Sequence, residues 1–294
     1  MTKVGFIILT WNSEKCIGTC LRSIISLDAS RLKGRIIVID NGSTDQTGSE
    51  IQKAVSAHSN QGAFTCDIHK LDKNYGTTSS RNRGIKLLLK DPNIEYICIL
   101  DSDTVVNTPA MLDLIDALKN NPNCAIAGPR MKDRNGVYQR SGRNIPTLTE
   151  KLFKVLPIRS LNEKGQAMET SVQVDGSGTV EVGYLLSACW MMRKEIFEEV
   201  GLLDEKIFYA PEDAEFCIRC HKAGYTIRYC RDAEIIHEWQ RLSRKKLFSK
   251  HNFEHIKGLT YMFWKHGYLF STKKLEHSFA KQQSQKRSKG SITA

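Results

Sequence analysis

Apolar runs alternate with helical repeats over the first 130 residues of this 294-residue chain. The apolar runs predict five short buried strands, at 5–9, 35–39, 64–71, 96–100 and 124–128. Apolar residues at helical spacing predict helices at 14–27, from 43 to about 57, ending at 85–89, and at 108–119. Strands that alternate with helices of this length are typical of an α/β fold with a mostly parallel sheet covered on both faces.

Polar residues follow three strands of this predicted sheet. Parallel sheets bind ligands at the carboxyl ends of their strands, so we expect these residues to face one crevice. The three groups are Thr10-Trp11-Asn12, Asp40-Asn41-Gly42 and Asp101-Ser102-Asp103.

The second half of the chain is less regular. Residues 131–182 carry Gly, Pro, Asn and basic residues and predict no element. An apolar stretch then leads to further elements, which we place as helices at 193–200 and 211–224 and a strand at 226–230 that runs on to His237.

Charge divides the chain near Trp239. Residues 1–238 hold 30 basic and 30 acidic residues, whereas 239–294 hold 13 basic and two acidic, so the whole net charge of +11 lies in the last segment. There, Phe253, Ile256, Leu259 and Phe263 recur at helical spacing, which predicts a basic amphipathic helix. A flexible tail is expected from about residue 273. We therefore expect a folded domain at 1–238, whose regular part ends at about residue 130, and a basic extension at 239–294.

Composition narrows the class of protein. The 40% apolar content suits a globular core, and no apolar run approaches the roughly 20 residues of a membrane span. Nine irregularly spaced cysteines favour a reducing compartment, so we expect a cytoplasmic protein. Cys217-Ile-Arg-Cys220-His221 matches a haem-attachment pattern, but cysteines at this helical spacing are more often buried apolar groups.

Asp101 and Asp103 are the most informative carboxylates. Two carboxylates one residue apart at a strand end can hold Mg²⁺ or Mn²⁺ that also binds substrate phosphates, and the alternative is a polar turn. Asp40 can accept hydrogen bonds from a base or ribose, or can form an Asx-turn.

Further candidates follow along the chain, each with an ordinary structural alternative. Asn74 and Arg81 lie at a loop-to-helix junction suited to diphosphate oxygens. Glu212 and Asp213 open a helix, where the helix dipole alone favours carboxylates and should lower the pKa of Asp213 unless burial opposes it. His237 is either a packed histidine or a metal ligand.

The order of these motifs resembles glycosyltransferase family 2, whose members are inverting enzymes with the GT-A fold. The resemblance covers almost the whole of 1–238, and it implies a GT-A catalytic domain there, with a nucleotide-sugar half at 1–130 and an acceptor half at 131–238. It rests on V-G-F-I-I-L-T-W-N at the first strand, I-I-V-I-D-N-G-S-T-D, N-Y-G-T-T-S-S-R-N-R-G with Ser80 in an alanine position, D-S-D, the G-x-L-D at 201–204, and P-E-D-A-E-F-C-I-R-C-H-K-A-G-Y.

The resemblance implies a role for each matching residue. Asp213 would be the general base. Donor contacts would come from Thr10, Trp11, Asn12, Asp40, Asn74, Arg81 and Asp101. Asp103 and His237, with Asp101, would hold a divalent cation, Mn²⁺ or Mg²⁺. Acceptor contacts would come from Glu212 and Trp190, although the segment from Tyr184 to Trp190 replaces a small Gly-Ala segment frequent in the family.

The implied reaction moves a sugar from a nucleotide diphosphate sugar to an acceptor hydroxyl, in polysaccharide or glycolipid assembly. Two alternatives remain at this point. A sugar nucleotidyltransferase would need a Gly-rich phosphate loop after the first strand, which Thr10-Trp11-Asn12 does not offer. A nucleic-acid-binding protein would have to use the basic tail alone. That tail also suits a peripheral contact with an anionic membrane and a lipid-linked acceptor, or packing on the catalytic domain or on a partner subunit.

Overall fold

The computed structural model describes residues 1–57, 63–170, 176–238 and 250–290. Within these ranges, ten strands form one sheet and two form a small second sheet. The strands are β1 (Thr2–Thr10), β2 (Leu32–Asp40), β3 (Phe64–Lys70), β4 (Tyr96–Asp101), β5 (Thr104–Val105), β6 (Cys124–Lys132), β7 (Tyr138–Gln139), β8 (Gly142–Arg143), β9 (Thr179–Glu181), β10 (Tyr184–Leu185), β11 (Cys189–Arg193) and β12 (Thr226–His237).

The large sheet is mostly parallel at its centre. Its order is β3-β2-β1-β4-β11-β6-β12-β5, with β7 on β6 and β9 on β12. β1, β2, β3 and β4 run parallel, β11 lies antiparallel between β4 and β6, and β12 runs parallel to β6. The central strands are buried on both faces, which explains why they are continuous apolar runs in the sequence.

Helices cover both faces of this sheet. They are α1 (Ile17–Ile25), α2 (Thr47–Ser56), α3 (Thr77–Leu89), α4 (Thr108–Asn120), α5 (Leu148–Val155), α6 (Arg159–Glu169), α7 (Glu195–Glu199), α8 (Glu212–Lys222), α9 (Lys250–His266) and α10 (Lys273–Gly290). One apolar core lies on each face of the sheet. The predicted α/β class is confirmed, and the elements predicted for the first 130 residues are all present.

The C-terminal helices pack on the α/β domain. Gly258 of α9 lies so close to the backbone before α8 that a Cβ would come within 2.2 Å of Ala210 O. Met262 is fully buried, and the Phe279 ring of α10 stacks on His221 of α8, with ring centroids 4.8 Å apart. One side of α9 therefore packs on the domain, which is one of the two interpretations of the amphipathic segment.

The tail expected to be flexible from about residue 273 is instead helix α10, up to Gly290. Leu275 and Phe279 are 7% and 6% exposed, and burial of these two side chains stabilises a helix that its polar composition did not predict. Residues 291–294 lie outside the described ranges. No described helix is long and apolar enough to cross a membrane.

Cys217 and Cys220 are both fully buried on α8. The neighbouring His221 contacts Gly183 O through Nε2 at 2.9 Å. These positions agree with the packing interpretation of the C-x-x-C-H pattern.

Candidate active site

A crevice of about 460 Å³ opens at the carboxyl ends of the parallel strands. Trp11 after β1, Asn41 after β2 and Asp101 at the end of β4 line it, as expected from the order of strands and polar groups. Asp213 at the start of α8 and His237 at the end of β12 also line the crevice. One cavity therefore contains carboxylates from two distant parts of the chain.

The three predicted metal ligands meet at the edge of this crevice, where Asp101 and His237 line it and Asp103 lies beside them. One ligand atom from each of Asp101, Asp103 and His237 lies within 4.8 Å of the others, close to the ~4 Å that separates ligands on opposite sides of one ion. The cluster forms because β12 pairs with β5, which places His237 opposite Thr104, next to Asp103.

The donor set fits a divalent cation. His237 Nδ1 lies 2.6 Å from Gln139 Oε1. A carbonyl oxygen only accepts, so Nδ1 carries a proton, and Nε2, which faces Asp103, is the nitrogen that would bind a metal. Burial lowers the pKa of His237, but the hydrogen bond and charge of Asp103, 3.3 Å from Nε2, outweigh it and raise that pKa above its usual value. A field that favours a proton at this nitrogen also favours a metal cation there. No pattern in the sequence indicated Gln139 as the partner of this histidine.

Arg81 connects the two carboxylate groups of the crevice. Its Nη2 donates to Asp101 Oδ1 at 2.6 Å, and its Nη1 donates to Glu212 Oε1 at 3.2 Å and to Ser187 Oγ at 2.8 Å. The side chain is 2% exposed. Arg81 therefore bridges two carboxylates and also lines the crevice, and its contact with diphosphate oxygens stays a prediction.

Glu212 and Asp213 are adjacent carboxylates with raised pKa values. Burial and the neighbouring charge of Asp213 raise the pKa of Glu212 to about 8. Burial also raises the pKa of Asp213, although Asp213 Oδ1 accepts a hydrogen bond from the Ala214 N–H at 2.7 Å. The expected lowering by the helix start is therefore outweighed by desolvation, and a base of raised pKa lines the crevice.

The loop before α3 is held by amide contacts. Asn74 Oδ1 accepts hydrogen bonds from Asn41 Nδ2 at 3.0 Å and from the Gly76 N–H at 2.8 Å. Ser80, in the alanine position of the motif, is fully buried and donates to Asn41 Oδ1 at 2.8 Å. Gly76 has a φ of 83°, and a Cβ there would lie 2.3 Å from Phe208 O, so this turn requires glycine. Asn41 thus lies in the crevice, as the position of Asp40-Asn41-Gly42 after a strand predicts.

The remaining donor candidates lie at the strand ends with different exposures. Trp11 is 44% exposed, whereas Thr10 and Asp40 are each 1% exposed. Asp40 Oδ1 accepts from the Ser43 N–H at 2.9 Å, which is the Asx-turn alternative, and Asn12 Oδ1 accepts from the Thr44 N–H at 2.9 Å. Their contacts with a nucleoside stay a prediction.

Trp190 does not lie in the crevice. It is fully buried, its Nε1 donates to Leu185 O at 3.2 Å, and its ring stacks on Phe216 at 5.9 Å. Alternation along β11 turns this side chain into the core beneath α8, so the expected acceptor contact of Trp190 is corrected to a packing role.

The acceptor side of the crevice contains residues that the sequence did not indicate. Arg143 and Tyr184 come from the paired strands β8 and β10, and Lys151 comes from α5. His255 and Leu259 come from α9. The irregular insert and the C-terminal helix therefore build the wall that faces Asp213.

Comparisons with known proteins agree with this geometry. The family model described as Glycosyl transferase family 2 matches residues 6–201. The Low-salt glycan biosynthesis hexosyltransferase Agl10 of Haloferax volcanii is 27% identical over 239 residues, which cover 80% of this chain and 66% of that protein. The N-acetylglucosaminyl-diphospho-decaprenol L-rhamnosyltransferase of Mycobacterium tuberculosis is 28% identical over 216 residues, which cover 69% of this chain and 66% of that protein.

A solved structure shows the same type of fold. The mannosyltransferase PcManGT from Pyrobaculum calidifontis, in complex with GDP-Man and Mn²⁺, superposes with a TM-score of 0.56 at 16% identity, over 94% of this chain and 68% of that chain. This likeness confirms the predicted GT-A fold. The match to each of the two sequence relatives spans about two thirds of the relative's length.

Proposed function

Because the chain belongs to glycosyl transferase family 2, we propose that it transfers a sugar from a nucleoside diphosphate sugar to an acceptor hydroxyl, with inversion at the anomeric carbon. The observation that carries the proposal is that the cluster of Asp101, Asp103 and His237 borders the same crevice that the carboxylate of Asp213 lines. Similarity to enzymes named as hexosyl and rhamnosyl transferases supports polysaccharide or glycolipid assembly as the setting.

The donor half positions the leaving group. Asp101, Asp103 and His237 would hold Mn²⁺ or Mg²⁺, which supplies positive charge for the departing diphosphate. Trp11 and Asn41 line the same end of the crevice and are placed to contact the nucleoside. Arg81 keeps the Asp101 carboxylate fixed by its 2.6 Å contact, so the first aspartate is oriented before the donor binds.

The acceptor half provides the base. Asp213 takes the proton from the acceptor hydroxyl as its oxygen attacks the anomeric carbon on the face opposite the leaving group. Burial raises the pKa of Asp213, which makes it a stronger base than an exposed aspartate. Glu212, held by Ser187 Oγ at 2.8 Å and by Arg81, is placed to orient the acceptor beside it.

The direct test is a panel of nucleotide sugars with Mn²⁺ or Mg²⁺, read as release of nucleoside diphosphate and transfer to added acceptors. Asp103→Asn should lower turnover about a hundredfold or more, because charge stabilisation by a metal is worth several kcal/mol. Asp116→Asn is the matched control, since Asp116 lies on α4 with its side chain 61% exposed. Full activity in a chelator, or in Asp103→Asn, would refute the metal-dependent mechanism.

The same panel separates the alternative functions. A sugar nucleotidyltransferase would consume a sugar phosphate and a nucleoside triphosphate, and a nucleic-acid-binding protein would turn over no nucleotide sugar. A thermal shift gives an independent readout, because a nucleoside diphosphate at 100 times its dissociation constant adds about 2.7 kcal/mol of stability.

We also propose a peripheral contact with anionic membranes through α9 and the segment after it. Phe253 and Phe270 are 68% and 64% exposed, in a segment that holds most of the excess positive charge. Flotation with anionic and neutral liposomes tests this. Phe253→Ser with Phe270→Ser should reduce salt-sensitive binding, and these substitutions are preferable to truncation because α9 also buries core residues. If the native chain does not bind anionic liposomes, the proposal is refuted.

A further inference from the structure

An apolar groove of about 830 Å³ lies between α5 and α9. Leu152 and Val155 of α5 form one side, and Ile256 and Trp264 of α9 form the other. Within the part of the chain that the structure describes, Val155, Ile256 and Trp264 remain 75%, 64% and 76% exposed. A soluble chain seldom leaves an apolar surface of this kind open unless it binds something, so the groove indicates a binding site.

The groove is continuous with the crevice. Lys151 and Leu259 line both cavities. Lys151 lies one turn of α5 from Val155, and Leu259 lies one turn of α9 from Ile256, so each helix runs from the groove to the crevice wall. A molecule in the groove can therefore extend past these two residues toward Asp213.

Positive charge lies at the junction of the two cavities. Arg143 and Lys151 line the crevice there, and Lys154 follows on α5. Glu169 contacts Arg143 at 2.6 Å and Lys154 at 2.7 Å, and Glu150 contacts Lys151 at 3.1 Å. The charge of Asp213 also acts on Arg143 and Lys151, so these two cations line the crevice between the groove and the base.

The neighbouring histidine adds no charge of its own. Burial, followed by the charges of Lys151 and Lys154, lowers the pKa of His255 to about 4. The imidazole is neutral at physiological pH, and His255 of α9 lines the crevice together with Lys151 of α5. An anionic group would be attracted there, between an apolar groove on one side and the base on the other.

We propose that the groove binds the hydrocarbon chain of an amphiphilic acceptor, that Arg143 and Lys151 bind its phosphate or diphosphate, and that its sugar hydroxyl reaches Asp213. This inference rests on the proposed function and adds the class of acceptor. A second copy of the chain or a bilayer surface could also cover exposed apolar side chains. Neither accounts for the continuity of the groove with the crevice or for the cations at their junction.

The test uses the full chain and calorimetric titration with farnesyl diphosphate, inorganic pyrophosphate and farnesol, in a chelator so that no metal-bound diphosphate contributes. Farnesyl diphosphate should bind at least about tenfold more tightly than pyrophosphate, because only the former fills the groove. Val155→Asp with Ile256→Asp should remove that advantage, since a charge in an apolar groove is costly. Lys151→Gln should weaken both diphosphates.

The controls keep the test independent of folding and of the transfer reaction. Val137→Asp changes a 51% exposed residue outside the groove and should leave binding unchanged. Leu152→Ser, at a half-exposed groove position, provides a second variant, and circular dichroism checks the fold of each. Turnover is measured separately, so failure of the nucleotide-sugar panel with intact farnesyl diphosphate binding would refute the proposed function and leave the groove as a lipid site.

Four outcomes would overturn the inference. Pyrophosphate could bind as tightly as farnesyl diphosphate, or the groove variant could bind both like the native chain. Sedimentation could show a dimer that Ile256→Asp dissociates, which would assign the face to a second copy. Vesicles of anionic lipid could bind in a groove-dependent way while farnesyl diphosphate does not, which would assign the face to a bilayer.

Discussion

Replacement of Asp213 by Asn tests the base most directly. Asparagine keeps the shape of the side chain, and its carbonyl can still accept the hydrogen bond that Asp213 Oδ1 receives from the Ala214 N–H at 2.7 Å. The start of α8 should therefore be preserved. Asn cannot take a proton, so only the chemical step is affected.

The expected loss follows from the position of Asp213. A positioned general base contributes about 10² to 10⁴ in rate, or roughly 3 to 5 kcal/mol of transition-state free energy. The raised pKa of Asp213 increases its proton affinity, which favours the upper part of this range. The loss should appear in kcat, with a smaller change in KM for the donor, because the donor contacts lie across the crevice.

Initial rates with a saturating nucleotide sugar provide the assay, with Glu212→Gln as the matched neighbour. The Glu212→Gln substitution should change KM for the acceptor more than Asp213→Asn does, since Glu212 is held by Arg81 and Ser187. If Asp213→Asn keeps more than about a tenth of native kcat, Asp213 is only a helix-start carboxylate and the reasoning fails.

Three further predictions concern the metal site, the buried acid and the C-terminal helix. Gln139→Leu should weaken Mn²⁺ binding about 10- to 100-fold in a thermal-shift titration, because the metal-site histidine loses its orienting acceptor, and an unchanged midpoint would contradict this. The pKa of Glu212 rises from 4.5 to about 8, so the native state binds more protons than the unfolded state in that window, and Tm should fall as pH rises through it. Glu212→Gln should flatten this slope, and equal slopes would refute the raised pKa. Lys265→Met should lower the free energy of unfolding in urea by about 3 kcal/mol, because it leaves the fully buried Glu215 with fewer partners. Lys257→Met, on the exposed side of α9, should change it by almost nothing.

The sequence predicted the sheet well because its strands are buried on both faces. β4, for example, spans Tyr96–Asp101 against a predicted 96–100. The insert at 131–182 was missed because its strands β7 and β8 have two residues each, too short for a period to show. Helix α10 was missed because its stability comes from a few apolar contacts with α8 rather than from its own composition.

The candidate site was predicted in part, for the same physical reason. Residues at strand ends meet because parallel strands end at one edge, and Asp101 and Asp103 meet His237 in this way. The bonding of Arg81 could not be predicted, since its partner Glu212 lies 131 positions away. Trp190 was wrongly placed although alternation gave a signal: Cys189 and Met191 face one core, and Trp190 and Met192 face the other.

The distribution of these residues along the chain has a consequence for substrate choice. The family match ends at residue 201, and the donor-side residues Trp11, Asn41 and Asp101 all lie within it. Glu212, Asp213, His237 and helix α9 lie beyond it. Since α9 meets the backbone before α8 at Gly258, a shift of α9 would move the wall that faces the base. We therefore expect substitutions on α9 to change the choice of acceptor before they change the choice of nucleotide, because no α9 residue lines the donor end of the crevice among the described residues.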